Sequence, residues 1–168
     1  MERLLMTLMS RKIDYALLIL SYLDRKKERA CAREIADRYA LNPGFVANIL
    51  KELCSRGFVS SQRGAKGGYV LARPAEAISL AELMERLDEG FHLAECNKQP
   101  TRDTCTLATV CPVRGAIAEV HRRIREVLRD VTLAQIFRPQ GATAEAGRTL
   151  GLAVIPWPEG NLARLAGE

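Results

Sequence analysis

Two short strands joined by a basic, glycine-rich tip limit what this chain can fold into. The strands are Phe58–Gln62 and Tyr69–Ala72, and the tip between them reads RGAKGG over residues 63–68. Glycine adopts positive backbone torsions without strain, so this segment predicts a β-hairpin. Because Arg63 and Lys66 lie in the tip, its charge favours contact with an anionic partner.

Three helices are predicted before the hairpin. Ile13–Leu23 is apolar with helix-compatible spacing, and Ala32–Tyr39 fits a second, shorter helix. The third helix, Pro43–Arg56, begins after Asn42, whose side chain accepts hydrogen bonds from free amides, and Gly57 ends it. Helical spacing assigns four apolar residues of the third helix to a core: Val46, Ile49, Leu50 and Leu53.

This order of elements predicts a winged helix-turn-helix within residues 9–75. A helix fits the major groove of DNA, and cations on a wing contact phosphates or the minor groove. Residues 1–75 carry 14 Lys and Arg against seven Asp and Glu, whereas residues 76–168 carry 11 against 13, so the basic half is the predicted DNA-binding half. The residues expected to contact DNA are Asn42, Ala47, Asn48, Lys51, Arg63 and Lys66. A helix-turn-helix that serves purely for packing or protein interaction is the alternative.

The second half predicts a further helix, an irregular segment and a long helix. Ser79–Glu89 is amphipathic, with Ser79 as its cap and Glu82 closing a capping box. Residues 90–109 lack periodicity, and the long helix begins at Pro112. Apolar residues recur along it at alternating spacings of four and three, a pattern typical of a coiled-coil seam and of a symmetric homodimer. These residues are Val113, Ile117, Val120, Ile124, Val127 and Val131.

The predicted fold class is therefore mainly α with a small β-hairpin, a winged helix-turn-helix plus a long dimerisation helix. We assign residues 76–135 to the cysteine-bearing loop and dimerisation helix, and 136–168 to a flexible C-terminal tail. No apolar run approaches the roughly 20 residues that span a bilayer, and residues 1–9 lack the pattern of a secretory signal. A cytoplasmic location without a membrane partner is expected.

The five cysteines suggest metal binding or redox chemistry, because disulfides are rare in a reducing compartment. Cys96, Cys105 and Cys111 are separated by eight and five residues, so they lack the C-x-x-C pair of structural zinc sites. The spacing is compatible with thiolates that converge on an iron–sulfur cluster, and equally with a zinc site or unligated thiols. Cys31 and Cys54 lie in or beside predicted helices, and we expect both to be buried, inert thiols.

The chain resembles the IscR/NsrR-type winged-helix regulators of the Rrf2 family. Three features carry the resemblance: Lys12–Leu23 (KIDYALLILSYL), Leu53–Leu71 (LCSRGFVSSQRGAKGGYVL) and the three loop cysteines. The resemblance covers roughly residues 9–135. It implies a homodimer bound to palindromic promoter DNA. It also implies an iron–sulfur cluster whose presence or redox state controls DNA affinity in response to oxidation, nitric oxide or iron status.

The same resemblance implies a ligand set. The three loop cysteines would be ligands, and Asp14 would supply a fourth to the cluster of the partner subunit, which favours a 4Fe–4S over a 2Fe–2S cluster. An ordinary charge at a helix N-terminus is the equal alternative for Asp14. Arg114 stands where other members carry a histidine ligand, His92 is a further candidate, and His121 is expected to be solvated.

Two other functions remain open from the sequence. A cluster-free regulator would sense oxidation directly through its cysteines. An electron-transfer protein would use the winged helix to dock a partner, although the basic hairpin argues against it. An enzyme is not expected, because the two histidines show no positional pairing with a nucleophile.

Overall fold

A computed structural model of the chain describes residues 9–64, 67–88, 91–97, 105, 107 and 109–138. These residues form helices and a two-stranded antiparallel hairpin, which confirms the predicted fold class. Single turns of 3₁₀ helix occupy Ala75–Ala77 and Glu95–Asn97. The elements in chain order are α1 (Arg11–Lys26), α2 (Ala32–Tyr39), α3 (Pro43–Ser55), β1 (Val59–Gln62), β2 (Gly68–Leu71), α4 (Leu80–Leu87), α5 (Arg114–Asp130) and α6 (Leu133–Phe137).

Side-chain caps fix the starts of α3 and α4. Oδ1 of Asn42 accepts hydrogen bonds from the backbone amides of Gly44 and Phe45 at 2.9 and 3.1 Å. Oγ of Ser79 accepts from the amide of Glu82 at 3.1 Å. The first amides of a helix have no acceptor within it, so these bonds satisfy donors that would otherwise need water.

The hairpin pairs Val59 with Leu71 and Gln62 with Gly68, and it is anchored to the chain before α2. Ala30 and Tyr69 exchange both backbone hydrogen bonds, at 3.0 and 2.9 Å. Gly68 lies beside this bridge with φ at +149°, and a Cβ there would approach the carbonyl oxygen of Ala30 to 2.9 Å. Glycine is therefore required at this position, because both the torsion and the close approach exclude a side chain.

The core lies between α1, α2, α3, the hairpin and α4, and α6 closes it from the far end of the chain. Leu133 and Phe137 of α6 are buried, and the amide of Leu133 donates to the carbonyl of Ile78 at 2.9 Å. The amide of Leu80 donates to the carbonyl of Val131 at 2.9 Å. The long helix therefore returns onto the winged unit at its C-terminal end. The compact unit ends at Phe137. The tail was predicted over residues 136–168, but Ile136 and Phe137 belong to α6, and residues 139–168 lie outside the described residues.

Two predictions about single cysteines were wrong. Cys31 is exposed and Cys54 is half-buried, whereas both were expected in the core. Cys31 is exposed because it precedes α2 as its N-cap, and its Sγ accepts from the amide of Glu34 at 3.4 Å. Among the described residues, no helix is long and apolar enough to cross a membrane.

Candidate nucleic-acid interface and cysteine segment

The helix α3 turns one face to the core and the other to solvent. Its four predicted core residues are all buried. Asn48 and Lys51 are exposed on the opposite face, and Ala47 is half-buried beside them. Asn42 is exposed, but its side-chain oxygen is engaged as the cap of α3. The structure thus leaves Asn42, Asn48 and Lys51 accessible to solvent and Ala47 partly covered.

Phe45 is a surface residue of this helix that was not predicted from the sequence. It is 40% exposed although it is a large apolar side chain. Its ring packs edge-on against Tyr15 of α1, with centroids 4.9 Å apart and planes at 83°. Phe45 and Asn48 line an open groove of about 710 Å³ between α1 and α3, with Arg11 at its edge. The available sequence signal was the three-residue spacing from Phe45 to Asn48, which shares one helix face.

The hairpin carries the second predicted contact surface. Arg63 is exposed directly after β1, and Lys66 lies outside the described residues. At the base of the hairpin, the guanidinium carbons of Arg73 and Arg86 each lie 5.8 Å from the ring centre of buried Phe58.

The same base explains what Glu82 does. Glu82 was predicted to close a capping box, but its carboxylate accepts instead from Arg73 at 2.7 Å and pairs with Arg86 at 3.2 Å. The Arg73–Glu82 ion pair and the contact of Arg86 with the Phe58 ring therefore join the hairpin to α4.

One lysine connects α3 to the end of α4. Nζ of Lys12 donates to Oε1 of Glu52 at 3.2 Å and to the carbonyl oxygen of Leu87 at 3.0 Å. Leu87 is the last residue of α4, where helix carbonyls have no intrahelical donor. Lys12 belongs to α1 and therefore links this helix to α3 and to the end of α4, from which the chain leads to Cys96.

The predicted cluster ligands lie in two places. Cys96 is in the 3₁₀ turn Glu95–Asn97, and Cys105 and Cys111 precede α5; all three are half-buried free thiols. Asp14 is exposed in the first turn of α1. Within the described ranges, no three His, Cys, Asp or Glu side chains gather closely enough to hold a metal ion. The donor types fit an iron–sulfur cluster, because free, partly accessible thiols are the soft ligands it requires.

His121 is buried, so the expectation that it is solvated was wrong. It is 8% exposed, and its ring stacks on Phe91 and His92 with centroids 5.5 and 6.0 Å apart. Its Nδ1 accepts from the backbone amide of Leu93 at 3.4 Å, a bond that requires the unprotonated nitrogen. Burial lowers the pKa of His121, and the nearby charges of Arg125 and His92 lower it further. The imidazole therefore serves as a neutral packing element between α5 and the cysteine segment.

The apolar seam of α5 separates into two rows. Val113, Val120 and Val127, spaced by seven residues, are 57%, 46% and 52% exposed. Ile124 lies in the other row and packs against the core of its own chain. The valine row is thus the part of the predicted seam left open for a second chain.

A helix with a core face and a polar reading face, followed by a hairpin with an exposed arginine, defines the class of winged helix-turn-helix DNA-binding proteins. The chain belongs to the Rrf2 family, whose model, described as an iron-dependent transcriptional regulator, matches residues 9–139. This protein is thus a transcriptional regulator of that family.

Similar proteins agree with this assignment. The chain is 27% identical over 125 residues to the HTH-type transcriptional regulator NsrR of Shouchella clausii, covering 73% of this chain and 83% of that protein. The structure of Staphylococcus aureus CymR is 27% identical, with a TM-score of 0.57 over 76% of this chain and 96% of that one. The structure of T. potens IscR shares the fold, with 23% identity and a TM-score of 0.59 over 78% of this chain and 86% of that one.

Proposed function

We propose that this regulator binds an iron–sulfur cluster and that the cluster controls its affinity for DNA. The observation that carries the proposal is the position of three free, half-buried thiols on the segment between α4 and α5. This segment joins the winged unit to the helix with the open valine row. The iron-dependent character of the family supports the same reading.

Cys96, Cys105 and Cys111 would hold the cluster, with Asp14 of the partner subunit as fourth ligand. Cys111 lies before Pro112 and Val113, close to the start of α5. Asp14 is exposed, as a residue that binds a group on a second chain must be. When bound, the cluster would supply a redox- and iron-responsive link between the two chains, and a 4Fe–4S form fits a carboxylate ligand.

The DNA-binding unit would act as a symmetric homodimer on palindromic promoter DNA. The valine row of α5 would form the contact between the two chains, since an exposed apolar stripe at heptad spacing is a coiled-coil interface. Asn42, Ala47, Asn48 and Lys51 would then lie toward the major groove, with Arg63 and Lys66 toward the phosphates or the minor groove.

The chain provides a route from the cysteine segment to the reading helix. Lys12 contacts Glu52 on α3 and the end of α4, and it lies two residues before Asp14. A shift of Asp14 or of the segment after Leu87 would change the hydrogen bonds of Lys12 and so the position of α3. Such a coupling between two sites is an allosteric free energy, and its sign decides whether the bound cluster strengthens or weakens DNA binding.

The test is the absorbance and the iron and sulfide content of protein purified without oxygen. The wild type is compared with C105A and D14A, and C54A serves as the matched control because Cys54 is a half-buried thiol outside the ligand set. We expect a coloured wild type and C54A, loss of colour in C105A, and an altered spectrum in D14A. Four irons and four sulfides per chain would support the 4Fe–4S form. A colourless, iron-free wild type would refute the cluster.

A second candidate is a cluster-free regulator that senses oxidation through Cys31. This thiol is exposed at the N-terminus of α2, and its Sγ accepts a hydrogen bond from the amide of Glu34 at 3.4 Å. The neighbouring Glu34 carboxylate pairs with Lys26 and accepts from Tyr22 Oη at 2.6 Å. These hydrogen bonds lower the pKa of Glu34, and the charge of Lys26 neutralises this carboxylate beside the thiol.

The second candidate has its own test. Hydrogen peroxide would oxidise the Cys31 thiol to a sulfenic acid with water as the product. We expect peroxide to change DNA affinity of the wild type and of C54A but not of C31S. An equal response of C31S would exclude Cys31 as the sensor.

A further inference from the structure

We propose that Phe45 reads the C5-methyl group of a thymine in the operator, and that Asn48 reads an adenine beside it. This inference rests on the DNA-binding function and adds a specificity-determining residue to it. Thymine alone among the four bases carries a methyl group in the major groove, and a phenyl ring is a suitable apolar surface for it.

The position of Phe45 on α3 supports this role. It is the third residue of the helix, and the N-terminal residues of a recognition helix are those that reach base edges. Phe45 lines the protein groove between α1 and α3 together with Asn48, which lies one turn further along α3. Exposing a large apolar side chain at the start of a reading helix is unfavourable in the free protein, and contact with a methyl group removes that area from water.

The ring of Phe45 is also held in place. Tyr15 of α1 contacts it edge-on at 4.9 Å, so the ring loses little side-chain freedom when it meets a base. The adjacent Asn42 fixes the first turn of the helix through its hydrogen bond to the Phe45 amide. Arg11 at the edge of the same groove is an exposed cation that suits the flanking phosphate.

Asn48 supplies the complementary half of the contact. An asparagine side chain can both donate to and accept from an adenine in the major groove, and Asn48 is exposed on the same face as Phe45. The ring of Phe45 and the amide of Asn48, one helical turn apart, thus match a base-pair step in which an adenine lies beside a thymine. We expect the operator to carry such a step in each half-site.

Uracil substitution tests the methyl contact without changing any hydrogen bond. The probe is a duplex that the wild-type protein selects from a random-sequence library, synthesised with thymine or with uracil at one position at a time. At one position per half-site, we expect uracil to weaken wild-type binding about fourfold, the value of one buried methyl-sized group. The F45A variant should bind more weakly and should no longer distinguish uracil from thymine there.

Controls separate this inference from the function it rests on. N48A should lose affinity yet still distinguish thymine from uracil, and F45L should retain part of the discrimination if F45A proves unstable. If the wild type selects a duplex but uracil has no effect at any position, or if F45A discriminates as well as the wild type, the thymine contact is refuted. If the wild type selects no sequence at all, DNA recognition itself fails.

Discussion

Replacing Asn42 separates its role as a helix cap from a role in contacting DNA. Its side-chain oxygen accepts from two backbone amides, at 2.9 and 3.1 Å, and loss of such a cap costs about 1 kcal/mol with a range of about 0.5–2. For a compact unit of this size, that cost lowers the melting temperature by about 4 °C. The N42A variant should therefore melt earlier, as measured by circular dichroism at 222 nm.

The effect on DNA follows from the same bonds. Without the cap, the first turn of α3 frays, and this turn carries Phe45 and leads to Asn48. A cost of about 1 kcal/mol corresponds to roughly fivefold weaker binding per half-site, measured by fluorescence anisotropy on a selected duplex.

Two conservative variants decide between the roles of Asn42. Serine and aspartate both cap helices well, so the free energies of unfolding of N42S and N42D should lie within about 0.5 kcal/mol of the wild-type value. If Asn42 acts as a cap alone, N42S also restores DNA affinity. If the side chain contacts DNA, N42S restores stability without affinity, and N42D binds still more weakly because its charge repels phosphate. An N42A variant with unchanged melting temperature and affinity would show that the capping argument is wrong.

Three further variants test the packing of the protein. F58A removes a fully buried ring and should lower the free energy of unfolding in urea by about 3–5 kcal/mol, whereas F58L should cost clearly less; equal losses would contradict the cavity argument. Burial lowers the pKa of His121 in the folded protein, so as pH falls the unfolded chain takes up a proton on this residue before the folded one does. The contribution of neutral His121 to the free energy of unfolding should be complete above about pH 6.5 and decline below it. The H121F variant should lack that decline, and a decline of the same size would assign it to other groups. V120E should shift the protein toward monomer in sedimentation velocity, because it places a charge in the exposed valine row. The control R129E changes an exposed residue outside that row and should leave the dimer unchanged. An intact V120E dimer would place the interface elsewhere.

The winged unit was predictable because its signals are local. The cap, the proline and the glycine of α3 act within a few residues, and the glycines of the hairpin act on their own torsions. The predicted limits of α2 agree with the structure, and those of α3 and the two strands differ by about one residue. The four core residues of α3 were also correct, because helical spacing alone selects one face.

The candidate site was predictable in part. The exposure of Asn48 and Lys51 follows from the same spacing that buries the opposite face of α3, and that of Arg63 follows from its place in the hairpin tip. Phe45 was missed because helical spacing left it outside the four core residues of α3, while its apolar side chain kept it out of the predicted DNA contacts. Its exposure depends on how α1 packs beside α3. The proposed ligation of Asp14 requires a second chain and so lies beyond what spacing within one chain can indicate.

Sequence alone thus determined the helices and the hairpin of the winged unit and which face of α3 turns inward, since both depend on neighbours a few residues away. It did not predict α6, whose last residues were assigned to the tail. Tertiary structure decided the features that join distant segments. His121 is buried by Phe91 and His92, 30 and 29 residues earlier, although charged residues follow it along its own helix. Lys12 meets Glu52 and the end of α4, and Ile124 turns to its own core while the valine row stays open. These contacts depend on how elements pack across the chain, and no local period encodes that arrangement.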